Sequence, residues 1–344
     1  MAAEALQITV GDRVVKVSNP GKVLFPEPGL TKEDLVRYYI AVGEGMLRAI
    51  AGRPTALRRY PDGLGGDSFF QKRAPKGAPP WVETVQIRFP SGRPADEICP
   101  TEVAVLAWAA NLAAIEFHPW PVRRPKVDHP DELRVDLDPQ PGTTFRDVVA
   151  AARLAREVLA EVGCTAFVKT SGGRGLHLAV RIEPEWDFIE VRRAAIALAR
   201  ELARREPDLV TAEWWKEQRG ERIFVDFNQA ARDRSMAAAY SARATPTATV
   251  SAPVTWDELG DVEPGDFTIV TMPERFARVE DPRAAMDETV CRLDGLLEMA
   301  AADERDRGLG DMPYPPDYPK MPGEPMRVQP SRARSVSRED IQSS

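Results

Sequence analysis

Sulfur and imidazole are scarce in this chain. Its 344 residues hold three cysteines, Cys99, Cys164 and Cys291, scattered and odd in number. That pattern spells neither a disulfide framework nor a metal knuckle, and it fits a reducing cytoplasm. Histidine is as rare, at His118, His129 and His177. No run of 18 apolar residues occurs, so no membrane-spanning helix is expected. Met1–Ala5 lacks the basic-then-apolar pattern of a signal peptide. Positive charge is not in excess either: the net charge of −7 argues against a uniformly basic nucleic-acid binder. The average hides an asymmetry. Residues 46–93 carry nine Lys/Arg against three Asp/Glu, and residues 257–312 carry six against sixteen. The first segment is suited to phosphates or is a solvated face; charge alone does not choose.

Hydrophobic residues make up 43% of the chain, enough for a substantial core, and its length suggests two domains at about 150 residues each. Residues 8–17 alternate like a strand. Thr31 and Asp34 resemble a capping box, with Asp where Glu or Gln is usual. Leu35, Tyr38, Val42, Met46 and Ile50 then recur near helical spacing. Residues 52–98 are rich in Gly, Pro and Arg, with a strand-like piece at 84–89. A helix is predicted from Thr101 to about Ala113, and a strand at Ile115–His118. Pro119 to Pro130 reads as a seam. Beyond it come a strand at 133–138, a helix over about 144–162, a strand–turn–strand over 166–182, a helix over about 187–205 and a strand at 222–227. The chain after about 300, rich in Pro and then in Ser and Arg, is expected to be extended or disordered.

The run Leu133-Arg134-Val135-Asp136-Leu137-Asp138-Pro139 is the first chemical signal. Successive strand side chains point to opposite faces, so Leu133, Val135 and Leu137 face the core while Asp136 and Asp138 share the other face, about 6.6 Å apart along the strand. Adjacent carboxylates repel and lose hydration on burial, and a hard cation relieves both costs. Two of the three histidines flank this strand. A lone D-x-D also occurs on solvated strand edges. Asp226 strengthens the metal reading, as a single acid in the apolar run Ile223-Phe224-Val225-Asp226-Phe227, unless it pairs with Arg222 or another arginine. Three carboxylates meet the demand of a two-metal phosphoryl-transfer site. The turn Ser171-Gly172-Gly173-Arg174-Gly175-Leu176-His177 offers backbone N–H groups, a guanidinium and an imidazole to a triphosphate; Arg243 is a further candidate. Phe69 and Phe70, beside Lys72 and Arg73, cannot both face one core from a strand, so either one is exposed for stacking on a base or one sits in the core and the other in a loop contact.

D-L-D-P at 136–139, S-G-G-R-G-L-H at 171–177 and F-V-D-F-N-Q at 224–229, in that order, resemble the archaeo-eukaryotic primase superfamily. More closely, they resemble the polymerase domain of bacterial ligase D and its stand-alone primase-polymerase relatives, over roughly residues 6–300. Tyr240–Arg243 and Val250–Trp256 also fit. The resemblance implies an α/β (α+β) fold: an N-terminal α/β module over 1–125, an RRM-like catalytic module over 126–300, and a Pro-rich tail over 301–344. It implies Asp136, Asp138 and Asp226 as ligands of two metal ions, Mn²⁺ or Mg²⁺ with Mn²⁺ preferred. His118, Ser171, Arg174, His177, Arg219, Gln229 and Arg243 would hold the nucleotide. Lys22 and Lys32 would bind a downstream 5′-phosphate, and Phe69 and Phe70 would stack near the template. The implied partners are gapped or nicked DNA with a 5′-phosphate and an NTP or dNTP, ribonucleotides preferred, with a separate ligase or end-binding protein and no membrane. A monomer associated with a bacterial nucleoid is expected. Some relatives carry Lys at the position of Arg174, and no ligase or nuclease module occurs before residue 344, so a separate gap-filling polymerase is expected. A D-x-D glycosyltransferase using Mn²⁺, or a non-enzymatic nucleic-acid-binding module, is the alternative.

Overall fold

The computed structural model describes residues 5–89 and 93–312. Its N-terminal part opens with an antiparallel hairpin, β1 (Leu6–Val10) and β2 (Arg13–Val17). The span 8–17 is therefore not one strand. Gly11, at φ +57°, reverses the chain inside it. β3 (Val23–Phe25) and β4 (Leu30–Thr31) form a second pair, and Thr31 then caps α1 (Lys32–Ala41). The cap is the predicted box: the Asp34 amide donates to Thr31 Oγ1 at 3.3 Å, and the Thr31 amide donates to Asp34 Oδ2 at 2.7 Å. The helical spacing through Ile50 is split into α1 and α2 (Gly43–Ile50) by Val42, whose ψ of 7° leaves the helical range. At Gly43 the side chain of Val103 occupies the space a β-carbon would need.

β5 (Thr55–Arg59), β6 (Phe69–Gln71), β7 (Thr84–Arg88) and β8 (Pro94–Ile98) follow. The largely buried α3 (Val103–Asn111) leads into β9 (Ala114–Pro119), which is buried throughout and pairs with β5. These strands make a sheet ordered β6-β5-β8-β7 with β9 on β5.

The second sheet starts after the Pro119–Pro130 stretch. β10 (Glu132–Pro139) leads to α4 (Phe145–Glu161), capped by a second box at Thr144 and Asp147. β11 (Ala166–Thr170), β12 (Leu176–Arg181), α5 (Phe188–Arg205), the short edge strand β13 (Val210–Thr211), β14 (Ile223–Val225) and β15 (Pro253–Val254) complete it. The order is β13-β14-β10-β12-β11-β15. Its four central strands, with α4 and α5 as crossovers, are the split β-α-β-β-α-β arrangement expected of an RRM-like module. Leu133, Val135 and Leu137 are buried, at 0–2% exposure, as the alternation requires. On the opposite face Arg134 donates to the carbonyls of Pro119 and Trp120, at 2.6 and 3.1 Å. There Arg53, fully buried, forks onto Asp131, and the ion pair fastens the N-terminal strands to the start of β10.

α6 (Met272–Arg278) and α7 (Asp294–Arg307) close the described chain. α7 crosses residue 300, so the tail does not begin there: the helix runs to Arg307, Gly308 caps it in the left-handed region, and the first compact unit ends at Gly310. Most of the expected tail, 313–344, lies outside the described residues. The cysteine reading is also corrected. Cys164 and Cys291, 127 positions apart, form a disulfide with their Cα atoms 5.4 Å apart, leaving Cys99 buried and free. Folding brings Cys291, which follows the antiparallel sheet, against the end of α4; no local spacing encodes that meeting. No described helix is long and apolar enough to cross a membrane.

Candidate active site

Three neighbouring strands carry the centre of the site. Antiparallel register sets Asp136 on β10 opposite His177 on β12, and His177 opposite Lys169 on β11. His177 Nε2 lies 3.4 Å from Asp136 Oδ1, and the Lys169 amine lies 2.6 Å from His177 Nδ1 and 2.6 Å from Ser251 Oγ. Burial, and then the neighbouring cations, push Lys169 and His177 well below their ordinary pKa values.

Asp226 does not lie within a strand. β14 ends at Val225, and Asp226 caps the single 3₁₀ turn that follows, accepting from the Asn228 amide at 3.0 Å. Its own amide donates to the Asp136 carbonyl at 2.9 Å, which sets Asp226, just past the end of β14, beside Asp136 within β10. Gln229 Nε2 donates to Asp226 Oδ2 at 3.2 Å. Arg222 instead donates to the carbonyls of Arg219, Pro207 and Gln218, so it does not pair with Asp226, although the charges of Arg219 and Arg234 act on that acid. Asp138 is the most exposed of the three acids, and Gln140 Nε2 donates to it at 3.3 Å. Burial and the charges of Asp226 and Asp138 push the Asp136 carboxyl up to about 8. Burial also raises Asp226.

The glycine turn is built differently from a simple amide cradle. The amides of Gly173 and Gly175 both donate to Ser171 Oγ, at 3.1 and 3.2 Å. Gly172, at φ +72°, packs against the Arg243 side chain, and Gly175 lies against the Leu137 carbonyl; neither has room for a β-carbon. Arg243 donates from Nη1 to the Ser171 carbonyl at 2.9 Å, which binds the turn to the 240s segment. Arg174 is exposed and reaches the Pro139 carbonyl at 3.3 Å. Arg219 lies over the Phe224 ring, 3.4 Å from its centroid, within the field of Asp226 and Asp138.

β9 brings His118 to the same region. Its Nε2 pairs with Glu116 Oε2 at 2.9 Å, and its ring meets Phe70 edge-on at 5.2 Å. Both Phe69 and Phe70 are exposed, at 46% and 51%, where only one was expected to be. β6 has no core on either side at this point. Arg58 and Arg59 on β5 cover the rings instead, Arg58 over Phe70 at 5.5 Å and Arg59 over Phe69 at 5.3 Å. Alternation along the β5–β6 pair thus turns Arg58 and Phe70 toward His118, and Arg59 and Phe69 to the other face.

On that other face stand the two lysines. Lys22 pairs with Asp62 at 2.8 Å. Lys32 is 6% exposed and donates to the Ser18 carbonyl at 2.7 Å. Burial, with the charges of Lys22 and Arg59, lowers its pKa. Two basic groups therefore stand near Lys32, which has no carboxylate partner among the described residues.

Glu116, Lys169 and Ser251 escaped the sequence reading. The signal was available: Glu116 in Ile115-Glu116-Phe117 and Lys169 in Val168-Lys169-Thr170 are single charges in apolar strands, the same pattern that singled out Asp226.

The family model described as "LigD, primase-polymerase domain" matches residues 31–283, well over half of the chain. The chain belongs to the LigD primase-polymerase family. This is a nucleotidyltransferase family, and the assignment sets aside the glycosyltransferase reading. The multifunctional non-homologous end joining protein LigD of Mycolicibacterium smegmatis is 33% identical over 311 residues, 89% of this chain and 40% of that protein. The bifunctional LigD of Bacillus subtilis is 32% identical over 259 residues, 75% of this chain and 41% of that protein. The chain thus spans well under half the length of these relatives. A solved polymerase domain of Mycobacterium tuberculosis ligase D, in complex with DNA, superposes with a TM-score of 0.75 at 33% identity, covering 80% of this chain and 98% of that one. The matched range takes in every candidate site residue except Lys22.

The three acids offer only oxygen donors, which suits Mg²⁺ or Mn²⁺. Among the described residues, no three His, Cys, Asp or Glu side chains close into a ready-made cage. Such ions keep waters and share one or two carboxylates with substrate phosphates, so a cage is not required. The residues present fit a hard cation.

Proposed function

We propose that this chain is a template-directed primase-polymerase that extends a primer 3′-hydroxyl with nucleotides, ribonucleotides preferred, and fills short gaps bounded by a 5′-phosphate. The observation that carries the reading is the junction of Asp136, Asp138 and Asp226 with the Ser171–His177 turn and Arg243.

Asp136, Asp138 and Asp226 would hold two divalent ions, Mn²⁺ in preference to Mg²⁺. When bound, such ions neutralise the triphosphate and lower the pKa of the attacking hydroxyl. Arg243 and Arg174 bind phosphate oxygens, and Ser171, His177, His118, Arg219 and Gln229 complete the nucleotide site. The primer oxygen bonds to the α-phosphorus as the bond to pyrophosphate breaks. Phe69 and Phe70 supply ring faces to template bases. Lys22 and Lys32 take the 5′-phosphate across the gap, with Arg59 beside them. A separate ligase would seal the product, in a bacterial cytoplasm at the nucleoid, with the chain acting as a monomer.

Primer extension on a one-nucleotide gap tests the reading, with or without a 5′-phosphate, with NTPs or dNTPs, and with Mn²⁺ or Mg²⁺. Incorporation by the native chain and its loss in Asp138→Ala, with the fold retained by circular dichroism, supports it. Metal-independent DNA binding without incorporation under any condition overturns it in favour of a binding module.

A further inference from the structure

Glu116 stands at the meeting of four groups. It is 2% exposed, on a strand that is buried from end to end. A lone carboxylate there is costly unless it is paired. Its Oε2 accepts from His118 Nε2 at 2.9 Å and lies 3.8 Å from Arg58 Nη1. Its Oε1 accepts from the Ala244 amide at 3.0 Å and lies 3.5 Å from Arg243 Nε. Burial alone would raise its pKa, but His118, Arg243 and the Ala244 amide bring it down to about 2, so it is an anion at neutral pH.

These partners have different origins. Arg58 comes from β5, where it covers Phe70; His118 shares β9 with Glu116; Arg243 and Ala244 belong to the segment that closes on the Ser171 turn. Arg243 Nε is buried without a hydrogen bond. Glu116 therefore holds that guanidinium by charge without consuming the donor, while Nη1 is committed to the Ser171 carbonyl. The neutral ring of His118 has its Nε2 oriented by the same carboxylate.

We infer that Glu116 is a positioning residue: its carboxylate aligns Arg243 and His118 for the incoming nucleotide and ties them to the Arg58–Phe70 pair on the template side. The inference rests on the proposed nucleotide site. It does not require Glu116 to touch the nucleotide.

Glu116→Gln keeps the size and an acceptor for the Ala244 amide but removes the charge. With Mn²⁺ on gapped DNA, KM for the nucleotide is expected to rise about tenfold while kcat falls less than about threefold, the loss expected of a charge-assisted contact. Nucleotide affinity measured by calorimetry on the DNA complex falls by the same factor, and affinity for gapped DNA is unchanged. In a double-mutant cycle Glu116→Gln adds less than about twofold once Arg243→Ala is present, because coupled residues are non-additive. An unchanged KM, equal losses in kcat and kcat/KM, or full additivity with Arg243→Ala overturns the inference. Should Glu116→Gln lower the melting temperature strongly, Glu116→Asp, which retains the charge, must recover KM, and its failure to do so also overturns it. Absence of incorporation by the native chain would instead refute the proposed function.

Discussion

The Asp226 amide donates to the Asp136 carbonyl at 2.9 Å, so that acids far apart in the chain stand side by side, one within β10 and one just past β14. That bond belongs to the backbone and survives side-chain replacement. Asp226→Asn should keep the 3₁₀ cap on Asn228 and the pairing with β10, while removing a charge that burial disfavours. Incorporation is expected to fall by at least about 100-fold, the upper range for merely supporting residues of a metal site. The melting temperature should stay level or rise. Scanning calorimetry and primer extension on one preparation check both.

Gly172 is the second test. Its φ of +72° and its contact with Arg243 leave no room for a β-carbon. Gly172→Ala should cost about 1–2 kcal/mol from the left-handed backbone alone. It should also displace Arg243, raising KM for the nucleotide more than it alters DNA affinity. Denaturant titration with steady-state kinetics separates the two effects.

Lys22 and Lys32 stand with Arg59 on the face away from His118. Replacing both with alanine should remove the preference for a 5′-phosphorylated gap and leave incorporation on an open template–primer nearly intact. The salt dependence of binding to the phosphorylated gap should become shallower by about two phosphate contacts. Fluorescence anisotropy across a salt series reads this directly.

Glu97 supplies a pH test outside the site. It is buried, one carboxylate oxygen has no partner, and the other accepts from Trp120 Nε1 at 3.1 Å. Burial pushes its carboxyl up to about 7. The folded protein thus holds this proton more tightly than the unfolded chain does. Stability from this group is greatest below the ordinary carboxyl range, falls as pH rises from about 4.5 to about 7, and is level above that. Glu97→Gln should make the fall in stability with pH shallower and be more stable than the native chain at pH 8, by on the order of 3 kcal/mol. Urea titrations at pH 5 and pH 8 check the sign.

Much of the site was legible because its signals are local. Alternation along 133–138 separated Leu133, Val135 and Leu137 from Asp136 and Asp138, and the capping box at Thr31 and Asp34 marked the start of α1. The turn at Gly11, the break at Val42 and the end of β14 before Asp226 were less legible. The Gly11 reversal is a single left-handed glycine inside an alternating run, while the other two depend on what the segment meets, Val103 against Gly43 for example.

Sequence by itself determined the start of α1, the alternation of β10, the order of the three acidic and glycine motifs, and membership in a family whose motifs are short and ordered. Periodicity and capping act between residues a few positions apart, so the chain carries them without folding. Tertiary structure alone decided that Arg222 turns away from Asp226, that both Phe69 and Phe70 are exposed, that Cys164 meets Cys291, and that Glu116 gathers Arg58, His118 and Arg243. Those outcomes depend on strand register and on the closure of the 240s segment over the sheet, where a buried charge takes whichever partner the packing brings within reach.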